Sequence, residues 1–431
     1  MYHSLMSRTS TASDPLPVAK LSPVKLSPRG ATRVRAGHPW VYRSDVASAD
    51  AIAPGSLVEV HDPRGKSLGS ALYSSSSQIA IRMISRESVH DLPALVSERI
   101  RAAIAYRKQF VRGTDSFRVV FSEADFLPGL IVDRYNDVLS VQILTQAMDA
   151  EPVRGAVVET LVADLQPGGI VERVEPRIRE LEQLPMRESG MMWGKKSSTI
   201  LTMNSGSLAD EGLSESREPK AESREGIRFH YDALEGQKTG AFLDQRENYA
   251  AAARYAHGDA LDVCCYQGGF ALHLAAKCAN VTGVDSSRPA LETAEKNAAL
   301  NFPGRDLEWI EANAFDLLRD YAAAGRAYNT VVLDPPAFAK TKRDLDKARS
   351  GYKELNLRAL KMLAPGGIFV TCSCSFHLSV ADFLEMVGDA ARDAHKSLRL
   401  LESRGAAKDH PLLLNVPETG YLKCLIFHVN N

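Results

Sequence analysis

No apolar run in this chain of 431 residues approaches the ~20 consecutive residues that a membrane-spanning helix needs. The first twenty residues mix Ser, Thr and Pro with scattered apolar side chains, without the charged-then-apolar order of an export signal. A cytoplasmic protein that stays out of membranes is the expectation. Cysteine is scarce, at six residues, and in the absence of an export signal those thiols should be reduced. Cys264 beside Cys265, and Cys372 near Cys374, have no second pair at ligand spacing, so a zinc site is not expected. Neither charge sign dominates: the formal net charge is −1. Net charge therefore gives no global electrostatic argument for nucleic acid. A complete G-x-G-x-x-G is also missing, and no internal repeat is visible.

What is present is ordinary globular material, 45% hydrophobic and 24% charged, long enough for two or three domains. Charge is uneven locally. Between Lys20 and Arg86 stand ten Lys and Arg against four Asp and Glu, the balance of an RNA-reading appendage or of an ordinary basic surface. Residues 1–20 read as a disordered tail. Short extended pieces at 39–42, 56–61, 67–73 and 78–84, with a turn at Asp62-Pro63-Arg64-Gly65, predict a small β-rich domain over 21–88. Residues 91–111 have helical spacing. Strands are expected at 118–121, 129–134, 138–144 and 169–174, with a helix at 152–165, which makes 89–203 an α+β middle domain. Residues 204–226 are polar and read as a flexible linker. From 227 to 431 strands alternate with helices, the pattern of a parallel sheet covered on both faces.

Two strand ends carry the chemistry. Asp334-Pro335-Pro336-Ala337-Phe338 follows one apolar run, and Thr371-Cys372-Ser373-Cys374-Ser375 follows another about forty residues later. Carboxyl ends of parallel strands face the ligand crevice of open α/β sheets. An Asp-Pro-Pro turn there offers carbonyls and a carboxylate to a flat polar group, and a thiol adds a nucleophile. Together they suggest chemistry on a pyrimidine ring. Cys374 could add to carbon 6 of cytosine or uracil and so activate carbon 5. The bland reading of either thiol is a packed core cysteine. Cys372, two residues back, sits deeper in the strand and is the second choice. Asp334 could bind the exocyclic amine or move a proton, or merely form the turn.

Upstream, Asp262-Val263-Cys264-Cys265-Tyr266-Gln267-Gly268-Gly269-Phe270 reads as strand, turn and helix start, with a helix over 271–278. The next strand ends in Asp285, and Ser286 or Ser287 can cap a helix over 290–300. A glycine turn and an acid on the following strand form a nucleoside-binding plan, the acid accepting from ribose hydroxyls. With too few glycines for a pyrophosphate, S-adenosylmethionine (SAM) fits better. Asn313, with Ala314, is placed to meet an adenine edge, and Pro335 completes that wall. Thr239, Gly240, Phe242, Asp244 and Arg246 suit a loop that covers the cofactor, or an ordinary helix entry.

These motifs, with Gly351-Tyr352-Lys353-x-Leu355-Asn356, resemble the RlmI family of bacterial 23S rRNA cytosine-5 methyltransferases. His38-Pro39-Trp40-Val41 looks like that family's PUA domain, and Phe126-Leu127-Pro128-Gly129-Leu130 like its central domain. Asp409-His410-Pro411 and Gly420-Tyr421-Leu422-Lys423 also match. The resemblance implies an α/β architecture: a Rossmann-like class I methyltransferase domain preceded by a PUA-like RNA-binding domain and an α+β domain. It implies SAM as cofactor, 23S rRNA as partner and Cys374 as nucleophile, and it leaves a homodimer open. The rival readings are an RNA guanine N-methyltransferase, which needs no thiol, and a non-catalytic ribosome assembly factor.

Overall fold

The computed structural model describes residues 21–49, 51–204, 226–235, 241–339 and 341–430. The expected tail over 1–20, the linker from 205 to 225, and Thr239 and Gly240 lie outside the described residues.

The first unit is a six-stranded sheet in the spatial order Trp40–Tyr42, Ile79–Ser85, Ser67–Tyr73, Leu57–His61, Ser22–Leu26 and Val46–Ser48. Alternation along Leu57–His61 puts Val58 and Val60 into a core with Val24, Val41, Ala71 and Ile81. One helix, Pro28–Arg35, was not expected from its spacing; Ser27 caps it by accepting from Gly30 N–H at 3.1 Å.

The long helix Leu92–Phe110 follows, capped by Asp91 and burying Val96, Ile100, Ala103 and Ile104 along one stripe. It packs on Glu151–Leu165 and on a five-stranded sheet containing Ser116–Phe121, Leu130–Tyr135, Val138–Ile143, Gly169–Glu172 and Gly190–Gly194. Ser198–Asn204 then pairs antiparallel with Gly226–Asp232. The latter strand therefore stands outside the parallel sheet that it was expected to open.

The remaining sheet has seven strands: β1 (Asp259–Val263), β2 (Asn280–Asp285), β3 (Glu308–Glu311), β4 (Tyr328–Leu333), β5 (Leu363–Ser373), β6 (Ser397–Arg404) and β7 (Lys423–Asn430). Their order is β3-β2-β1-β4-β5-β7-β6, with β7 antiparallel to both neighbours. Helices α1 (Arg246–Tyr255), α2 (Gly269–Ala275), α3 (Arg288–Asn301), α4 (Ala314–Ala323), α5 (Leu345–Lys361) and α6 (Val380–Asp393) accompany it. Two separate apolar cores cover the two faces, one through Phe270 and Val370, the other through Val331, Phe369 and Phe383. The chain leaves β1 toward β2 on one side and returns to β4 on the other. Carboxyl ends diverge between β1 and β4, which opens the crevice.

Candidate active site

A cavity of about 550 Å³ occupies that crevice. Its floor is the turn after β1. Cys264, Tyr266 and Gly268 all take positive φ, at 65°, 50° and 85°. Glycine is the residue that adopts such φ at little cost. Two bulky side chains instead adopt the left-handed conformation, at a cost of order 1–2 kcal/mol each. Gly269 opens α2 with no room for a side chain, because an added Cβ would lie 2.5 Å from the Tyr249 ring. Strain and close approach together let the backbone pass near a ligand.

Asp285, at the end of β2, is held by two backbone donors, Tyr266 N–H and Ser287 N–H, each at 2.9 Å. Its remaining lone pairs face the cavity that it lines. This also corrects the capping expectation: α3 starts after Ser287, whose side chain makes no cap hydrogen bond, and Ser286 is left on the cavity wall. Asn313 caps α4 through Oδ1, which accepts from Phe315 N–H at 2.9 Å and Asp316 N–H at 3.4 Å. That leaves its Nδ2 hydrogens to meet an adenine edge. Phe242 and Tyr266 meet edge to face with ring centroids 5.1 Å apart. Both line the cavity, as do Asp244, Gly269, Phe270, Ala314 and Pro335.

Four expected site residues lie off the lining. Gly268 sits beneath it, at the start of α2. Arg246 is buried and pairs with Asp409 at 3.0 Å. Asp262 is fully buried: Oδ2 accepts from Ala271 N–H at 2.8 Å, while Oδ1 has no partner. Burial, reinforced by Asp334 and Asp285, pushes its carboxyl up to about 8. Cys372 belongs to the core beside Cys424, its partner across β5 and β7. Burial and that second thiol push Cys372 well up.

The far wall carries Asp334 and Cys374. β5 ends at Ser373, so Cys374 lies beyond the strand and reaches the cavity, whereas a straight strand would have put both thiols on one face. Ser375 binds this loop to the Asp-Pro-Pro turn. Its Oγ accepts from Ala339 N–H at 3.2 Å and shares a hydrogen with Tyr352 Oη at 3.0 Å. The tyrosine of the Gly351-Tyr352-Lys353 motif thus has a structural task. Asp334 Oδ1 accepts from Gln245 Nε2 at 3.0 Å, and Gln245 Oε1 accepts from Asn248 at 2.7 Å. Gln245 and Tyr421, both on the lining, were missed as site residues. Gln245 stands between Asp244 and Arg246 and Tyr421 inside the Gly420–Lys423 motif, but neither had spacing that distinguished it. Phe315 and Phe338 also line the cavity, with ring centroids 6.0 Å apart, and offer flat faces.

Electrostatics narrow the ligand. Among the described residues the lining carries the carboxylates of Asp244, Asp285 and Asp334 but no Lys, Arg or His. Such a cavity repels phosphate and attracts a cation. SAM carries a sulfonium and an ammonium, so the residues fit it and do not fit a dinucleotide. Among the described residues no group of three or more His, Cys, Asp or Glu could hold a metal ion.

Comparison with known proteins agrees. Residues 24–86 match the PUA-like domain model. Residues 144–428 match the model of S-adenosylmethionine-dependent methyltransferases. Ribosomal RNA large subunit methyltransferase I of Photobacterium profundum is 35% identical over 399 residues, spanning 90% of this chain and 95% of that protein. The chain belongs to this methyltransferase family. The same-named protein of Shewanella frigidimarina is 35% identical over 414 residues, covering 94% of this chain and 99% of its own. The fold also matches SMU.776, a solved structure described as a methyltransferase complexed with SAH. The TM-score is 0.75 at 16% identity, covering 95% of this chain and all of that one. The family's cofactor is SAM, and the PUA-like and Rossmann-like expectations stand. No helix among the described residues is long and apolar enough to cross a membrane.

Proposed function

We propose that the chain methylates carbon 5 of a cytosine in 23S ribosomal RNA through a covalent adduct on Cys374. One observation carries this reading: Cys374 leaves the strand and enters the cavity beside Asp334-Pro335-Pro336, while Cys372 stays in the core. The other two thiols on the lining, Cys264 and Cys265, sit in the turn after β1. Burial and nearby carboxylates push both well up, which makes them poor nucleophiles. The names of the family's relatives supply large-subunit rRNA as the substrate class.

SAM, when bound, supplies an electrophilic methyl group. Asp285 suits the ribose hydroxyls, Asn313 the adenine edge, and Phe242 and Tyr266 the flat faces of the adenosine. On the other wall Asp334, fixed by Gln245, orients the exocyclic amine of the base. Sulfur of Cys374 bonds to carbon 6, and carbon 5 becomes enamine-like and takes the methyl group as the methyl–sulfonium bond breaks, its electron pair staying on the cofactor's sulfur. A base then removes the carbon-5 proton, and the sulfur–carbon bond breaks to restore the ring. Residues 21–88 form the PUA-like RNA-binding domain, 89–203 the middle domain and 227–431 the catalytic domain, acting on rRNA in the cytoplasm.

The test is incubation with labelled SAM and unmodified 23S rRNA, followed by nucleoside identification by mass spectrometry. Label in 5-methylcytidine supports the reading. Label in a methylated guanosine moves the assignment to a guanine N-methyltransferase. SAM binding without transfer to any rRNA moves it to an assembly factor.

A further inference from the structure

Two sequence motifs have no task in the reaction above, His38-Pro39-Trp40 and Phe126-Leu127-Pro128-Gly129, and the fold brings them together. His38, Pro39, Phe126 and Pro128 line one cleft of about 800 Å³. Trp40 stitches its two sides, because the indole N–H donates to Glu123 Oε1 at 3.0 Å. Most of the second motif has a structural role. Leu127 is buried in the core of the middle unit, and the Pro128 carbonyl accepts from Thr145 Oγ1 at 3.2 Å. Gly129 lies too close to Thr145 to carry a side chain. Phe126 has no such role. Its φ of 59° is a left-handed backbone conformation that disfavours a bulky side chain. It is 56% exposed, so burial does not offset that strain. Arg99 fixes the conformation: it donates to the Phe126 carbonyl at 2.5 Å, and its guanidinium lies 5.9 Å from the ring centroid. Strain held in place around an exposed aromatic face points to a ligand rather than to folding.

Charge says what kind of ligand. The lining carries Arg35, Lys66, Arg86 and Arg99 against one carboxylate, Glu123, which Trp40 engages. Arg35 is paired with Asp62, while Lys66 and Arg86 are exposed. Carboxylates dominate the described lining of the catalytic cavity, so an RNA chain entering it needs its phosphates held outside. An exposed ring suits an unpaired base, whose face is free to stack, whereas the bases of a duplex cover one another. One loop links both places. Leu413 and Asn415 line the cleft, where Asn415 donates to the Gly37 carbonyl, and Tyr421 and Leu422 line the cavity. Asn415 and Tyr421 are six positions apart, a reach of at most about 20 Å. Cleft and cavity are thus within the span of one short single-stranded run.

We propose that this cleft binds an unpaired stretch of the RNA substrate, with phosphates on Lys66 and Arg86 and one base stacked on Phe126. The inference rests on RNA being the substrate, and it holds whichever base or atom is methylated. The PUA-like unit and the middle unit act as one reader, with Trp40 and Glu123 as the joint between them.

The experiment is filter retention of unmodified 23S rRNA by the full chain over a range of salt, alongside urea melts and SAM titration. Phe126→Gly relieves the left-handed strain, so its unfolding midpoint should not fall below that of wild type. Its rRNA dissociation constant should nevertheless rise about tenfold, the size expected for one lost base stack, with SAM affinity unchanged. Phe126→Tyr, which keeps an aromatic face, should bind as wild type does. Joint replacement Lys66→Ala and Arg86→Ala should flatten the slope of log affinity against log salt by ~1.4, the value for two single-strand phosphate contacts. Both side chains are exposed, so this variant tests the cleft even where Phe126→Gly does not fold. Phe126→Gly binding rRNA as tightly as wild type overturns the inference, and so does an unchanged salt slope; either gives the cleft to a polypeptide instead. A wild-type chain that retains no 23S rRNA overturns the rRNA reading itself, and this inference with it.

Discussion

Two thiols separated by a single serine meet different surroundings, and their variants should behave differently. Cys374→Ala removes the group that would bond to carbon 6, and methyl transfer should drop by about three orders of magnitude or more. Cys372→Ala takes a sulfur from the core beside Cys424. It should cost about 1–2 kcal/mol of stability and leave transfer nearly intact, as a urea melt and a single-turnover assay would show together. Asp262 makes a pH-dependent prediction at the same scale. Its folded value of about 8 lies above the ~3.9 of a free aspartate. A raised value means stability that is complete below about pH 4 and is lost as pH rises through about 8. Unfolding midpoints of the cofactor-free chain should fall across that window, and Asp262→Asn should flatten the profile. A wild-type curve with no slope there would remove the argument.

At the scale of elements, the turn between β1 and α2 and the acid at the end of β2 line the floor of the cavity. Gly268 has φ of 85°, and a Cβ there would lie 3.1 Å from Trp309. Gly268→Ala should cost about 1–2 kcal/mol and weaken SAM binding. Asp285→Ala loses charge-assisted acceptors worth ~1.5–3 kcal/mol each, so the SAM dissociation constant should rise tenfold or more by calorimetry. An unchanged constant would detach Asp285 from the ribose. The elements themselves were legible where periodicity was strong: the long helix at 92–110, four of the five strands of the middle sheet (Gly190–Gly194 was not expected), and the alternation after β1. Pro28–Arg35 was not legible, because a short helix rich in arginine and closed by a serine cap has little apolar periodicity. Left-handed φ at Cys264 and Tyr266 was also hidden, since nothing local favours it and the surrounding sheet imposes it.

Across the whole molecule, Asp409 joins the middle unit to the catalytic sheet. Its Oδ1 accepts from Arg246 at 3.0 Å and its Oδ2 from Arg118 N–H at 2.8 Å, while its carbonyl accepts from Arg107 at 2.8 Å. Burial opposes the charge, yet Arg246 and His410 hold the carboxyl well below the usual range. A lowered value means stability present above about pH 4 and lost as pH falls further. Asp409→Asn strands a buried arginine and should cost about 3–5 kcal/mol. Limited proteolysis between the two units should speed up accordingly. Unchanged cleavage and stability would show that the joint is held elsewhere.

The sequence by itself determined the kinds of groups and their chain order: an acid after β2, an Asp-Pro-Pro turn after β4, a thiol pair at the end of β5. Those follow from local rules, because strand periodicity and turn residues act over a few positions. Only the tertiary structure decided which thiol reaches the cavity, that Arg246 serves Asp409 rather than the cofactor loop, and that Gln245, Tyr421 and Lys423 stand around the reacting wall. The placement of Cys374 and of Lys423 depends on where β5 stops and how β7 lies against it. That pairing joins residues about fifty positions apart, beyond the reach of any local pattern.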